Sequence, residues 1–336
     1  MDHPKRSRGV LLALAAALGG LFVLSFAWGR LAVSPGEAAK ILAWGLGLPV
    51  ERTWTDQMAA AVLNIRLPRI LLAAMVGCAL SAAGTAYQSV FQNPMAAPDI
   101  LGASSGACFG AALAICLGGR AVTAAAFGCS LGAVGLVYLV GRRARGNRVM
   151  NLLLAGIMTG SLFSAGTAYV KLAADPVSKL PEITYWLMGS LSGTRHGKAE
   201  FMAVVLLVGL LPLLALRWRI NLLTLGEEEA ASMGVHTAAL RLAVIFCATI
   251  LTAGSVAVSG MIGWVGLVIP QLSRRMVGND CRYLLPASML FGAFFLLLVD
   301  DLSRCLLAVE IPIGILTAFI GAPFFLHLMT RKGGWT

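Results

Sequence analysis

Residues Ile70-Leu71-Leu72-Ala73-Ala74-Met75-Val76-Gly77-Cys78-Ala79-Leu80-Ser81-Ala82-Ala83-Gly84-Thr85-Ala86-Tyr87-Gln88-Ser89-Val90-Phe91 contain no Asp, Glu, Lys or Arg. As a helix, this stretch reaches about 33 Å, enough to cross the roughly 30 Å hydrocarbon core of a bilayer. Nine further uncharged runs lie on either side of it: 10–28, 100–119, 121–141, 149–170, 201–216, 242–259, 260–273, 284–299 and 311–330. The weakest, 260–273, holds Pro270 and abuts its predecessor at Ser259-Gly260, so a single long segment is the competing reading there. Runs 41–50 and 183–194 are too short to cross and read as surface helices. The expectation is an all-α polytopic membrane protein with about ten transmembrane helices, one transmembrane domain over 1–336.

Composition agrees. Hydrophobic residues make up 58% of the 336 positions and charged residues 12%, against about 25% charged in soluble domains. Mean hydropathy is +0.84. These values exclude a disordered chain and a disulfide-stapled secreted domain, argue against an ordinary cytosolic enzyme, and offer no nucleic-acid partner. Lys5-Arg6-Ser7-Arg8 precedes an apolar run of 19 residues, longer than a signal-peptide core of about 7–15, so it reads as a retained first span.

An even span count places both termini on one side. If that side is cytoplasmic, the inner segments carry 15 of the 26 basic residues, including Arg142, Arg143, Arg145, Arg217, Arg219 and Arg241, a modest excess in the direction of the positive-inside rule. Arg66 and Arg69, in Arg66-Leu67-Pro68-Arg69, then stand at the outer mouth of the second span, and Arg304 at the outer end of the ninth.

The seven Cys form no C-x-x-C, the four His are scattered, and no H-E-x-x-H is present. Buried structural cysteines are expected, and no metal site. Gly102-Ala103-Ser104-Ser105-Gly106 fits the hydrolase pattern G-x-S-x-G, which requires a strand before it and a helix after it. Here it opens an apolar span, and Gly102, Gly106 and Gly110 recur every four residues, the spacing that exposes helix backbone for close packing. Gly193-Thr194-Arg195-His196-Gly197-Lys198 is one residue short of a Walker A and lacks its Ser or Thr, so any ATPase is a separate polypeptide.

The longest inner loop, 217–241, contains Gly226-Glu227-Glu228-Glu229-Ala230-Ala231-Ser232-Met233-Gly234. Three Glu suit a first helical turn, where carboxylates meet the positive end of the dipole. Gly234 is placed to end that helix, and residues up to Arg241 can begin a second short one. A helix–Gly–helix on this face suits docking of a soluble partner; the alternative is a solvated acidic connector.

Several separated segments together resemble the FecCD family of ABC-importer permeases, which serve ferric siderophores, haem and vitamin B12. They are Arg66-Leu67-Pro68-Arg69, Gln92-Asn93-Pro94-Met95-Ala96-Ala97-Pro98 with Leu101-Gly102, Trp186-Leu187-Met188-Gly189-Ser190-Leu191, Leu225 to Gly234, Gly263-Trp264-Val265-Gly266-Leu267-Val268-Ile269-Pro270, Leu284-Leu285-Pro286, Asp300 to Arg304, Glu310-Ile311-Pro312-Ile313-Gly314 and Gly321-Ala322-Pro323-Phe324-Phe325. They run in order over about 60–330. The chain departs from the family's usual pattern at Met95, Ala97, Trp264 and Gln271.

The resemblance implies a type II importer subunit acting as two copies, with two ATP-binding cassette ATPases that hold ATP and Mg; this chain itself binds no cofactor. It implies that Gly226, Glu227, Glu228, Glu229, Ala231, Ser232 and Gly234 couple to the ATPase. Arg66, Arg69 and Arg304 would receive acidic groups of a periplasmic or lipid-anchored binding protein, while Asp300 and Asp301, four and three residues before Arg304, offer local pairing instead. Asn93, Pro94, Pro98, Gly102, Gly106 and Gly110 would serve the pathway or helix packing. The setting is the bacterial cytoplasmic membrane. The expected cargo is a metal chelate, a ferric siderophore first, with cobalamin, haem or an oxyanion such as molybdate as alternatives. An ion-coupled secondary transporter and an intramembrane hydrolase at Ser104 are the rival classes; the scarcity of ionisable residues inside the spans argues against the first.

Overall fold

The computed structural model describes residues 3–29, 31–145, 148–224, 227–307 and 309–330. They form fourteen α-helices and no strand: α1 (His3–Ala27), α2 (Pro35–Gly45), α3 (Asp56–Ala60), α4 (Leu67–Phe91), α5 (Ala103–Cys116), α6 (Val122–Arg143), α7 (Arg148–Ala173), α8 (Lys179–Leu187), α9 (His196–Leu223), α10 (Glu227–Ser232), α11 (Thr237–Ser259), α12 (Val265–Val277), α13 (Cys281–Cys305) and α14 (Ile313–Thr330). Each of the ten uncharged runs becomes one helix. Seven stretches are long and apolar enough to cross a membrane; α5 and α14 are shorter apolar helices, and α12 has only 13 residues. The two short runs become α2 and α8.

The stretch 70–91 is the centre of the bundle. Helix α4 is buried along most of its length and packs against α9, α11, α12 and α13. Its small residues allow this. A Cβ on Gly84 would fall on the carbonyl of Gly266 in α12, and one on Gly77 on the carbonyl of Gly292 in α13. Lipid gives no hydrophobic incentive for helices to associate, so close backbone contact supplies the packing energy. On the outside, α7 exposes Ile157, Met158, Leu162, Tyr169 and Leu172, and α14 exposes Phe319 and Leu326. Apolar faces of that size belong against lipid or another chain.

Two boundaries differ from simple run-reading. Helix α4 does not start at a mouth near residue 67. It continues α3 through a π-helical turn, Ala61–Arg66, into one apolar helix over Asp56–Phe91. Pro68 has no N–H to give to the preceding turn, and a widened turn accommodates that loss. Runs 242–259 and 260–273 are two helices, not one. Gly260, at φ +70, ends α11, and a Cβ there would strike the carbonyl of Trp186. Ser190 N donates to Ser259 O at 2.7 Å, so the end of α8 occupies the path a continuous helix would need.

Candidate functional site

At one end of the bundle, Arg66, Arg69 and Arg304 lie close together and are only 5%, 6% and 9% exposed. Carboxylates from α13 and the α13–α14 connection meet them. Arg69 pairs with Asp300 at 3.0 Å and with Glu310 at 3.0 Å. Arg304 pairs with Asp300 at 3.2 Å and with Asp301. Ser25 donates to Asp301 at 2.5 Å, and Arg66 donates to the carbonyls of Phe26 and Leu31. Three arginines and three carboxylates thus join the end of α1, the π turn, α4 and α13 into a formally neutral cluster. Buried charge is tolerated when paired and hydrogen-bonded in this way. The local pairing of Arg304 foreseen in the sequence is present. The partnership of Glu310 with Arg69, 241 positions apart, was not foreseen; its only trace was an acid beside Ile311-Pro312 at the same end.

Next to this cluster, two glycines draw distant segments together. A Cβ on Gly189 would meet the carbonyl of Met261, and one on Gly314 the carbonyls of Met188 and Met261. The residue motifs around 186–191, 260–264 and 310–314 are therefore neighbours in space. They line a mostly apolar cavity of about 620 Å³ with Leu187, Trp264, Ile315 and Phe319. Trp264 takes φ +70, a conformation rare for a bulky side chain, and its ring meets Phe325 edge-on at 6.2 Å.

At the opposite end, α10 carries Glu227, Glu228, Glu229, Ala231 and Ser232; Gly226 lies outside the described residues. Ser232 Oγ donates to Glu229 O at 2.7 Å, and Val235 N donates to Ala230 O at 3.2 Å, closing the turn. Gly234 has φ +78, as a helix-ending glycine should, with open space where a Cβ would stand. Ala230 is buried, whereas Glu229, Ser232 and Met233 are exposed. The expected second short helix is the first turn of α11, which runs on without interruption to Ser259.

The loop between α4 and α5 is tied to its neighbours by several contacts. Asn93 Oδ1 accepts from Met95 N at 2.9 Å, and Pro94 O accepts from Gln271 Nε2 at 2.7 Å. Gln271 Nε2 also lies 3.2 Å from Gln88 Oε1. Pro98 fills the space beside Gly266. Gly102, at φ +73, approaches Gly160 of α7, and Gly106 and Gly110 abut the backbones of Cys129 and Ala125 in α6. The four-residue glycine ridge is a packing seam. Ser104 donates to Asp99, whose carboxyl burial pushes above its usual range. The preceding element is a 3₁₀ turn, Pro98–Leu101, rather than the strand a nucleophile elbow needs. Among the described residues no group of His, Cys, Asp and Glu could hold a metal ion.

The FecCD transport family matches residues 12–331. The molybdate import system permease protein MolB of Haemophilus influenzae is 41% identical over 339 residues, 99% of this chain and 98% of that one. A probable iron chelatin transport system permease of Helicobacter pylori is 40% identical, covering 83% of this chain and 85% of its own. A solved structure described as an inward-facing conformation of a metal-chelate type ABC transporter superposes with a TM-score of 0.86 at 39% identity, over 96% of this chain and 99% of the other. Matched almost end to end, the chain belongs to the FecCD family and is the multi-pass permease subunit of an ABC importer, a transport component whose ATPase is a separate polypeptide.

Proposed function

We propose that two copies of this chain form an ATP-driven import pathway for a metal chelate, a ferric siderophore, across the bacterial cytoplasmic membrane, with both termini inside. The observation that carries this reading is the small, exposed turn α10–Gly234 at the end opposite the ionic cluster. Glu229, Ser232 and Met233 there offer exposed surface to a soluble partner. Two ATPase subunits, holding ATP and Mg, would press on it. ATP binding must favour one conformation over the other, because only a difference in affinity shifts a population. The exposed apolar faces of α7 and α14 suit the second copy, and the cavity at Trp264 would border the shared pathway.

A periplasmic or lipid-anchored binding protein would deliver cargo at the ionic cluster. Arg66, Arg69 and Arg304 can receive its carboxylates only by exchange, since their charges are already matched internally. Glu310, with 27% of its side chain exposed, is the first partner such an exchange would displace. Helix α4 carries no Asp or Glu, and the two of α13, Asp300 and Asp301, stand near its C-terminal end, which leaves no mid-membrane acid in these helices for a coupling ion.

Proteoliposomes containing the permease, its ATPase and its binding protein test the reading. Ferric-siderophore uptake should require internal ATP and survive an ionophore; uptake that follows an ion gradient without ATP refutes it. Molybdate is the second reading, favoured by the near end-to-end match to the Haemophilus protein. Uptake of molybdate and not of the ferric chelate in the same vesicles selects it.

A further inference from the structure

A second cavity, of about 510 Å³, opens between α6, α7 and α11 at the end of the bundle that carries α10. Tyr138 and Arg142, one turn apart on α6, line one wall. Arg241, Leu242 and Ile245 of α11 line the other, with Leu152 of α7 between them. Arg142 stands exposed in the last turn of α6, whereas Arg241 is only 9% exposed. Two guanidiniums thus share a cavity whose remaining walls are aliphatic or aromatic, at the level where the apolar helices give way to the basic ends Arg142, Arg143 and Arg145.

We propose that this cavity binds an acidic phospholipid: its phosphate against Arg142 and Arg241, its glycerol beside the Tyr138 hydroxyl, and its first methylenes along Leu152, Leu242 and Ile245. Guanidinium forks suit phosphate oxygens, and basic pockets between helices at the cytoplasmic boundary suit anionic headgroups. A small free oxyanion shares the phosphate chemistry but fits the site less well. It would occupy a fraction of the volume, since even a water accounts for only about 30 Å³, and it would face Leu and Ile side chains that offer no hydrogen bond. Assignment to the inner leaflet follows the orientation proposed above. Binding itself does not depend on the cargo or on ATP coupling.

The full-length permease in neutral detergent is titrated with phosphatidylglycerol, with phosphatidylcholine of the same chains, or with inorganic phosphate. Thermal melting and native mass spectrometry are the readouts. Phosphatidylglycerol should bind and raise Tm with increasing concentration, at least tenfold more tightly than phosphatidylcholine, and phosphate should leave Tm unchanged. The double variant Arg142→Gln, Arg241→Gln should weaken phosphatidylglycerol at least tenfold, while Arg217→Gln with Arg219→Gln, exposed on the same face, should change it less than twofold. If Arg241→Gln does not fold, Arg142→Gln alone and Leu242→Glu alone should each weaken it. Equal stabilisation by phosphatidylcholine or by phosphate, or undiminished binding by the cavity variants, overturns the proposal.

Discussion

Two sets of arginine, one at each end of the bundle, meet opposite surroundings. At the end holding Asp300, three arginines are less than one-tenth exposed and each charge is consumed by carboxylates or carbonyls of the same chain. At the end holding α10, Arg142, Arg143, Arg145, Arg217, Arg219, Arg275 and Arg282 are exposed. The difference is partner supply. Asp300, Asp301 and Glu310 lie within reach of the first set, so those side chains fold inward and clamp helices. The second set faces the solvent and the headgroup layer, where a cation costs little to keep in water. Counting basic residues treats both sets alike; their surroundings make one a structural clasp and the other a surface.

The clasp is where a reversed charge should do most harm. Arg69→Glu would place a third carboxylate against Asp300 and Glu310 and leave them without their shared cation. Breaking a buried pair by removing one partner costs about 3–5 kcal/mol. The same reversal at exposed Arg217 should stay within about 0.5 kcal/mol. Thermal unfolding of the detergent-purified proteins measures both, and similar losses at the two sites would abolish the contrast. For the same reason, loss of transport in an Arg66→Glu, Arg69→Glu double variant is expected but would not by itself establish docking, since folding fails first.

Two glycines extend the contrast from charge to backbone. Gly84→Ala sets a methyl group onto the carbonyl of Gly266 at the centre of the bundle, and overpacking of that kind costs about 1–3 kcal/mol. Gly234→Trp meets open space, so its cost is the left-handed conformation alone, about 1–2 kcal/mol. The first should lower the yield of folded protein. The second should leave the subunit inserted but separate ATP hydrolysis from uptake in the reconstituted complex. Normal uptake by Gly234→Trp would remove α10 from the coupling role.

The spans were legible because lipid imposes one rule, an uncharged run long enough to cross, and all ten runs became helices. Where the sequence misled, the cause was tertiary. An uncharged run begins only after Arg69, yet a π turn carries the helix back through Arg66-Leu67-Pro68-Arg69 to Asp56. The break at Gly260 was ambiguous because its cause is the carbonyl of Trp186, more than 70 positions away, which no local pattern reports. Gly234 was readable since its left-handed φ is a local demand. The pairing of Glu310 with Arg69 was not, since only the assembled helices bring them together.

Glu310 gives the finest test of the clasp. It is the least buried of the three carboxylates, and it holds Arg69 through both oxygens at 3.0 Å. In Glu310→Gln the guanidinium keeps Asp300, so stability should fall by no more than about 1 kcal/mol, the scale of a partly exposed pair. Removing this internal competitor leaves the cluster one positive charge in excess beside the exterior. If the cluster exchanges its own carboxylates for those of an acidic binding protein, affinity for that protein should rise, and the rise should shrink as salt screens the added charge. Surface plasmon resonance on the immobilised permease at low and high ionic strength reads both effects. A fall in affinity would mean that Glu310 belongs to the docking surface rather than standing in for the partner, and that the clasp stays closed when the binding protein arrives.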